Sequence, residues 1–170
     1  MVKLINIEKF FKINSCCSLE SQSCRNSPQE SSNPIQFFKY YYNKNVELHA
    51  PTITIGNKYY GGMSNDEQYK HLCKAIKGAY PYHGTIKYIF YFEQQNNGNL
   101  HAHGVLMNAY QSKFIDNFNQ FGHRNIHDKS YQQIRNFGYF AYIQKDEHKT
   151  KYKPIHNILK KDFNSINKEM

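Results

Sequence analysis

Cysteine is sparse. Of the four in 170 residues, no two stand at C-x-x-C spacing. No second cluster completes a zinc ligand set. Cys16, Cys17 and Cys24 fall in a polar, Ser-rich stretch and Cys73 stands apart, which fits free thiols in a reducing compartment. Long apolar runs are missing too, and no segment approaches the ~20 residues of a membrane span. Residues 1–13 alternate lysine with isoleucine and phenylalanine too often for a signal-peptide core. There is no internal repeat, which excludes a solenoid. Arginine is scarce, three against nineteen lysines. Acids are outnumbered 22 to 13, leaving a net charge of +9. In a small domain that balance fits a polyanionic partner, nucleic acid before membrane, or simply lysine-based solubility.

What is present is enough for one core. Hydrophobic residues make up 39% and aromatics 16%, and the length suits one domain with tails. Residues 14–34 are polar, with almost nothing apolar, and read as a disordered linker inside an N-terminal extension, 1–45. Ile35–Tyr42 is aromatic with interleaved lysine and fits an extra strand or a short helix equally. The domain proper is expected over 46–146. Thr52-Ile53-Thr54-Ile55 alternates as a strand does. Ser64-Asn65-Asp66-Glu67 is a capping box, followed by the stripe Tyr69, Leu72, Cys73 and Ile76, with Gly78 as the stop. Strands follow near 85–93 and 100–108. Ser112 opens a second helix carrying Phe114, Ile115 and Phe118, and 121–127 forms another strand. Ser130-Tyr131-Gln132-Gln133 again has a capping-box pattern, predicting a helix over 131–146 with Ile134, Phe137 and Ala141 inward. Residues 147–170 are a basic tail without periodicity. The order β, α, β-hairpin, α, β, α predicts an α+β fold, an antiparallel sheet of about five strands with helices packed on it.

The chemistry concentrates at Glu93-Gln94-Gln95-Asn96-Asn97-Gly98-Asn99-Leu100-His101-Ala102-His103-Gly104. The Asn-Asn-Gly-Asn turn makes this a β-hairpin, and the register decides what meets. A two-residue loop, Asn97-Gly98, pairs Gln94 with His101 and sends Glu93 to the opposite face. A three-residue loop, Asn96-Asn97-Gly98, with Gly98 left-handed, pairs Glu93 with His101. His103 then shares their face, because strand side chains alternate, and Phe90, Phe92, Leu100, Ala102 and Leu106 take the other. One carboxylate and two imidazoles form a ligand set for a divalent cation with open coordination positions. Singly, each histidine reads as an ordinary strand residue and Glu93 as an exposed acid; the combination points to a site. Downstream, Tyr142, Lys145 and Asp146 share a helix face. A tyrosine is a weak nucleophile at neutral pH, since its phenol titrates near pH ~10, and a metal or a neighbouring cation lowers that barrier.

These residues carry a resemblance. His101-Ala102-His103 resembles the histidine-hydrophobe-histidine motif of HUH endonucleases. Phe140-Ala141-Tyr142-Ile143-Gln144-Lys145-Asp146 resembles their Y-x-x-K motif, in the form found in replication initiators of small circular single-stranded DNA viruses and plasmids. Glu93 stands eight residues before the first motif histidine, as in those viral proteins, and Thr52–Ile55 stands where their first motif strand falls. The resemblance spans about 46–146 and implies a ferredoxin-like or RRM-like sheet. It implies that Glu93, His101 and His103 hold Mg2+ or Mn2+ and that Tyr142 attacks single-stranded DNA to leave a 5′-phosphotyrosine link. Lys145 would neutralise phosphate charge or orient the metal site, with Asp146 in support. Thr52 and Thr54 on the first motif strand, Tyr139 by packing or base stacking, and Lys149 and Lys151 in the basic tail would contact DNA. Tyr139 is the rival nucleophile, but only Tyr142 has lysine at +3 and aspartate at +4. Gly138, inside the expected helix, would clear space for the DNA backbone.

The implied activity is nicking and joining at an origin hairpin to start rolling-circle replication. No G-x-x-x-x-G-K-[ST] occurs, so a separate or host helicase is expected, with the chain either an excised nuclease domain or a short stand-alone initiator. The implied location is intracellular, the host nucleus for a eukaryotic virus or the cytoplasm for a bacterial system. Two other readings stand beside it. A single-tyrosine transposase of the same superfamily usually carries glutamine where Asp146 stands. A non-catalytic binder of single-stranded nucleic acid would stack bases on the sheet.

Overall fold

Alternation in the three longest strands sorts the chain into two apolar faces, and each acquires its own cover of helices. The computed structural model describes residues 33–54, 62–80, 85–110, 116, 131–145 and 150–169. Its strands are β1 (Leu48–Thr54), β2 (Lys87–Gln94), β3 (Leu100–Met107), β4 (Tyr131–Gln133) and β5 (Ile155–His156). Its helices are α1 (Pro34–Asn43), α2 (Asn65–Ala79), α3 (Tyr139–Gln144) and α4 (Lys160–Glu169). The five strands form one antiparallel sheet in the order β4-β1-β3-β2-β5, so the fold is α+β. Since β1 and β2 both run against β3, they are parallel to each other, and β1–α2–β2 is a split β-α-β unit.

One face carries Ile53, Phe90, Phe92, Leu100, Ala102 and Leu106 and is covered by α2 through Leu72, Ala75 and Ile76. The capping box is formed: Ser64 Oγ accepts from the Glu67 N–H and the Glu67 carboxylate accepts from the Ser64 N–H. Gly78 lies in the last turn, and the helix ends one residue later. Gln68, buried on α2, accepts the Leu100 N–H at 2.8 Å and donates to the Asn99 side chain, so the helix grips the start of β3.

The other face carries Leu48, Ile89, Tyr91, Val105 and Met107 and is covered by α1, α3 and α4. Here the packed fold reaches past both ends of the expected 46–146 domain. Ile35, Phe37 and Phe38 of α1 are fully buried, and the helix starts on an Asn33 side-chain cap followed by Pro34. At the other end, β5 pairs with β2, and the buried Asn157 accepts from the Tyr88 N–H and donates to the Ile86 carbonyl, both at 2.8 Å. Asp162 of α4 pairs with Lys87 at 2.9 Å and accepts the Leu159 N–H. The supposed tail is therefore structural, because Phe163 and Ile166 cover the sheet while Lys160 and Lys161 are exposed.

The helix expected over 131–146 is also corrected. Tyr131–Gln133 pairs with β1 as an edge strand, and helical geometry begins only at Tyr139. Of the expected helix at 112–118 only Asp116 is described, and it is helical; the expected strand at 121–127 lies outside the described residues, as do Cys16, Cys17, Cys24 and the stretch 14–32. Among the described residues no helix is long and apolar enough to cross a membrane.

Gly104 on β3 faces Phe90 across the pair with β2. A Cβ there would lie 2.5 Å from Phe90 Cδ1 and 2.9 Å from the Ile89 carbonyl oxygen. Gly104→Ala is expected to cost about 1–3 kcal/mol of unfolding free energy through overpacking, read as a lower urea midpoint with unchanged slope. An unaltered midpoint would contradict this packing.

Candidate metal centre and nucleophile

The β2–β3 turn sets the site. The Gln95 N–H donates to the Asn99 carbonyl at 2.7 Å and the Gly98 N–H to the Gln95 carbonyl at 2.9 Å, leaving Asn96-Asn97-Gly98 as a three-residue loop. Gly98 sits at φ +85°, the left-handed position that this loop requires. The Asn97 side chain accepts the Asn99 N–H, closing the turn on itself. The resulting register pairs Glu93 with His101 and Tyr91 with His103. On the other side of β3, Thr54 pairs with His101 and Thr52 with His103. Glu93, His101, His103, Thr52 and Thr54 therefore share one face by strand alternation.

The three predicted ligands converge. Glu93 Oε2 lies 3.2 Å from Nε2 of His101 and 3.2 Å from Nε2 of His103, and one ligand atom from each residue falls within 4.8 Å of the others. Among the described residues this is the group of three that could hold a metal ion. The His101 contact is a hydrogen bond. The His103 contact is close but off hydrogen-bonding geometry, so its buried Nε2 has no hydrogen-bond partner. Its other nitrogen, Nδ1, lies 2.9 Å from Thr52 Oγ1. With the Nδ1 proton given to that hydroxyl, Nε2 presents a lone pair to the space beside Glu93. Burial first, and then the charge of His101, push the His103 imidazole down to about 4 against the opposing pull of Glu93, so it is neutral at pH 7. A neutral imidazole with a buried, unused lone pair fits a cation ligand.

The tyrosine helix α3 sits over the same face. Phe140 and Ile143 are buried in the cluster with Ile89, Val105 and α1, which leaves Tyr142 and Lys145 exposed at the edge of the triad. The Tyr142 ring centre is 5.6 Å from that of His103. Lys145 Nζ lies 3.4 Å from Glu93 Oε1 and 4.2 Å from the centre of the Tyr142 ring, so one ammonium joins the carboxylate to the tyrosine. Tyr139 faces inward: its hydroxyl donates to the Gly104 carbonyl at 2.9 Å, and burial raises its phenol. That bond pins α3 to β3 one residue past His103.

Other predicted residues fall elsewhere. Asp146 and Lys149 lie outside the described residues. Lys151 pairs with Asp66 at 2.7 Å beside Tyr152 and is not gathered with the triad. Thr52 acquires a role that the sequence did not suggest, as the residue behind His103; its only signal was its place on a strand opposite the motif. Gly138 precedes the helix at φ −57°, its N–H held by the Asn136 side chain at 2.7 Å.

Comparison of the chain with family models, with curated proteins and with solved structures finds no match.

Thr52→Val keeps the shape of the side chain and removes the hydroxyl. It is expected to weaken Mn2+ binding by roughly 10- to 100-fold, the usual effect of losing such a support, with Thr52→Ser close to the parent in calorimetric titration. Equal affinities for Thr52→Val and parent would contradict the role of Thr52.

Proposed function

We propose that this chain is a single-tyrosine nuclease and strand-joining enzyme of the HUH type, acting on single-stranded DNA to start rolling-circle replication. The observation that carries this reading is the convergence of Glu93, His101 and His103 on one sheet face, with Tyr142 beside His103 and Lys145 between Glu93 and Tyr142. The sheet order β4-β1-β3-β2 and the split β-α-β unit suit a ferredoxin-like arrangement, and the net charge of +9 suits a polyanionic substrate.

A divalent cation held by Glu93, His101 and His103, Mg2+ or Mn2+, would supply Lewis-acid polarisation of the scissile phosphate. The residues of the chain do the rest. Thr52 holds His103 in the tautomer that turns Nε2 towards Glu93. The Tyr142 phenol oxygen forms a bond to phosphorus as the bond from phosphorus to the 3′-oxygen breaks. The phenol proton passes through solvent to the departing oxygen, leaving a 3′-hydroxyl and a 5′-phosphotyrosine. Lys145, already over the Tyr142 ring, stabilises phenolate and phosphate charge as they develop. Attack of a 3′-hydroxyl on the phosphotyrosine reverses the step, rejoins the strand and frees Tyr142. Tyr139 is poorly suited to attack, because its hydroxyl is committed to Gly104.

A pool of labelled single-stranded stem-loop oligonucleotides incubated with Mn2+ is expected to yield a covalent adduct, resolved on a denaturing gel. Tyr142→Phe abolishes the adduct and Tyr139→Phe keeps it. An adduct that persists in Tyr142→Phe would overturn the assignment. Tight binding without an adduct under Mn2+ or Mg2+ would instead favour a non-catalytic binder of single strands.

A further inference from the structure

Four large apolar side chains are exposed among the described residues, Met63, Tyr110, Phe137 and Tyr142, and two of them flank the start of α3. Phe137 is 45% exposed, yet it is not loose. Its ring is held by Tyr42 at 5.8 Å, tilted by 59°, and by Phe140 at 5.4 Å, edge to face. Both neighbours are steeply inclined to it, so neither stacks on its face. Lys39 of α1 holds its ammonium over one face of the ring, 5.9 Å from its centre. An aromatic ring held in place, with a cation on a long flexible stem over it that can swing to a phosphate, is a combination that seats an unpaired base and its phosphate.

Phe137 stands just ahead of α3, the helix that carries Tyr142. Gly138, Ala141, Tyr142 and Lys145 are all exposed and spaced i, i+3, i+4 and i+7, which is one helix face. Beside Tyr142 and Lys145 that face carries only the two smallest side chains. A Cβ built on Gly138 would press on the Asn136 side-chain oxygen at 3.1 Å, the atom that holds the Gly138 N–H, so this position favours glycine. A groove of about 570 Å³ lies between β4 and α3, lined by Gln132, Gln133, Arg135, Asn136 and Tyr139 among others, with Phe137 outside its lining. Among the described residues Arg135 is the charged side chain of that lining. Lys39 over the ring and Arg135 in the groove give this surface positive charge, Lys145 being paired with Glu93, and the amides of the groove match the hydrogen-bonding edges of bases.

We propose that Phe137 is a stacking platform for one unpaired nucleobase, with the neighbouring phosphates paired to Lys39 and Arg135. The occupant is a single strand of nucleic acid, chosen over a second copy of the chain because this surface is cationic and the chain itself carries +9, so that two such surfaces would repel. The proposal deepens the nuclease reading and rests on it for the identity of the strand as substrate. Ring stacking predicts a preference for any base over none, rather than for one base over another.

The test is binding of fluorescently labelled single-stranded DNA by anisotropy in the Tyr142→Phe protein, which needs no cleavage. Absence of a covalent adduct with the parent protein would therefore leave this result intact. Phe137→Ala is expected to weaken binding by roughly 5- to 100-fold, while Phe137→Trp keeps it. One abasic position in the oligonucleotide should weaken binding similarly, and combining it with Phe137→Ala should add nothing further. Thermal melts of each variant exclude a folding defect. Unchanged affinity in a folded Phe137→Ala protein would overturn the proposal. So would loss of a dimer in sedimentation with DNA affinity unaltered.

Discussion

Glu93 and His101 face each other across β2 and β3 only because the loop between their strands has three residues. With two, the side-chain alternation of β2 would be out of step with that of β3, and Glu93 would point towards Phe90 and the α2 core. Gly98 at φ +85° and the Asn97 side chain make the longer loop, and Gln68 of α2 holds its far end through Leu100 and Asn99. The carboxylate and the two imidazoles therefore meet through a turn and a helix grip, both remote from the chemistry. Everything else at the site is arranged around that register, including Thr52 behind His103 and Lys145 against Glu93.

The second constraint is that the sheet is covered on both faces. A site on an open sheet would have nothing to bring a tyrosine above it. Here α1 and α4 fill the half of the face away from the turn, and α3 settles beside them through Phe140 and Ile143. The Tyr139 hydroxyl bond to Gly104 then fixes where along β3 the helix rests. Tyr142 reaches the edge of the triad because its own helix is anchored by the residue that most resembles a competitor. The N-terminal helix, which also supplies Lys39 and Tyr42 beside Phe137, thus contributes both packing and surface to the same region.

Much of the hairpin was legible in the sequence, because loop chemistry and strand period are local rules that tertiary context had no reason to override. Phe90, Phe92, Leu100, Ala102 and Leu106 fall on the buried face opposite the triad, as alternation requires. The capping box at Ser64 was equally local. The pattern at Ser130 was not a reliable guide, since Tyr131–Gln133 finds a better partner in the free edge of β1 than in its own helix. α1 was undecided because its aromatic residues fit strand and helix alike; Asn33-Pro34, a cap followed by proline at the first helical position, was the signal that would have settled it. β5 and α4 were missed because two residues of pairing and two apolar contacts are too short a pattern to stand out among lysines. The contact of Thr52 with His103 depends on pairing between strands 51 residues apart, which no local pattern reveals.

The central claim is that Glu93, His101 and His103 form one cation site. Anomalous diffraction at the manganese edge, from crystals grown in Mn2+, tests it most directly. The account predicts a single strong peak within coordination distance of the Glu93 carboxylate and of Nε2 of both histidines, absent from crystals of His103→Gln. A peak that omits any of the three, or no peak at this face when Mn2+ is saturating, would contradict it.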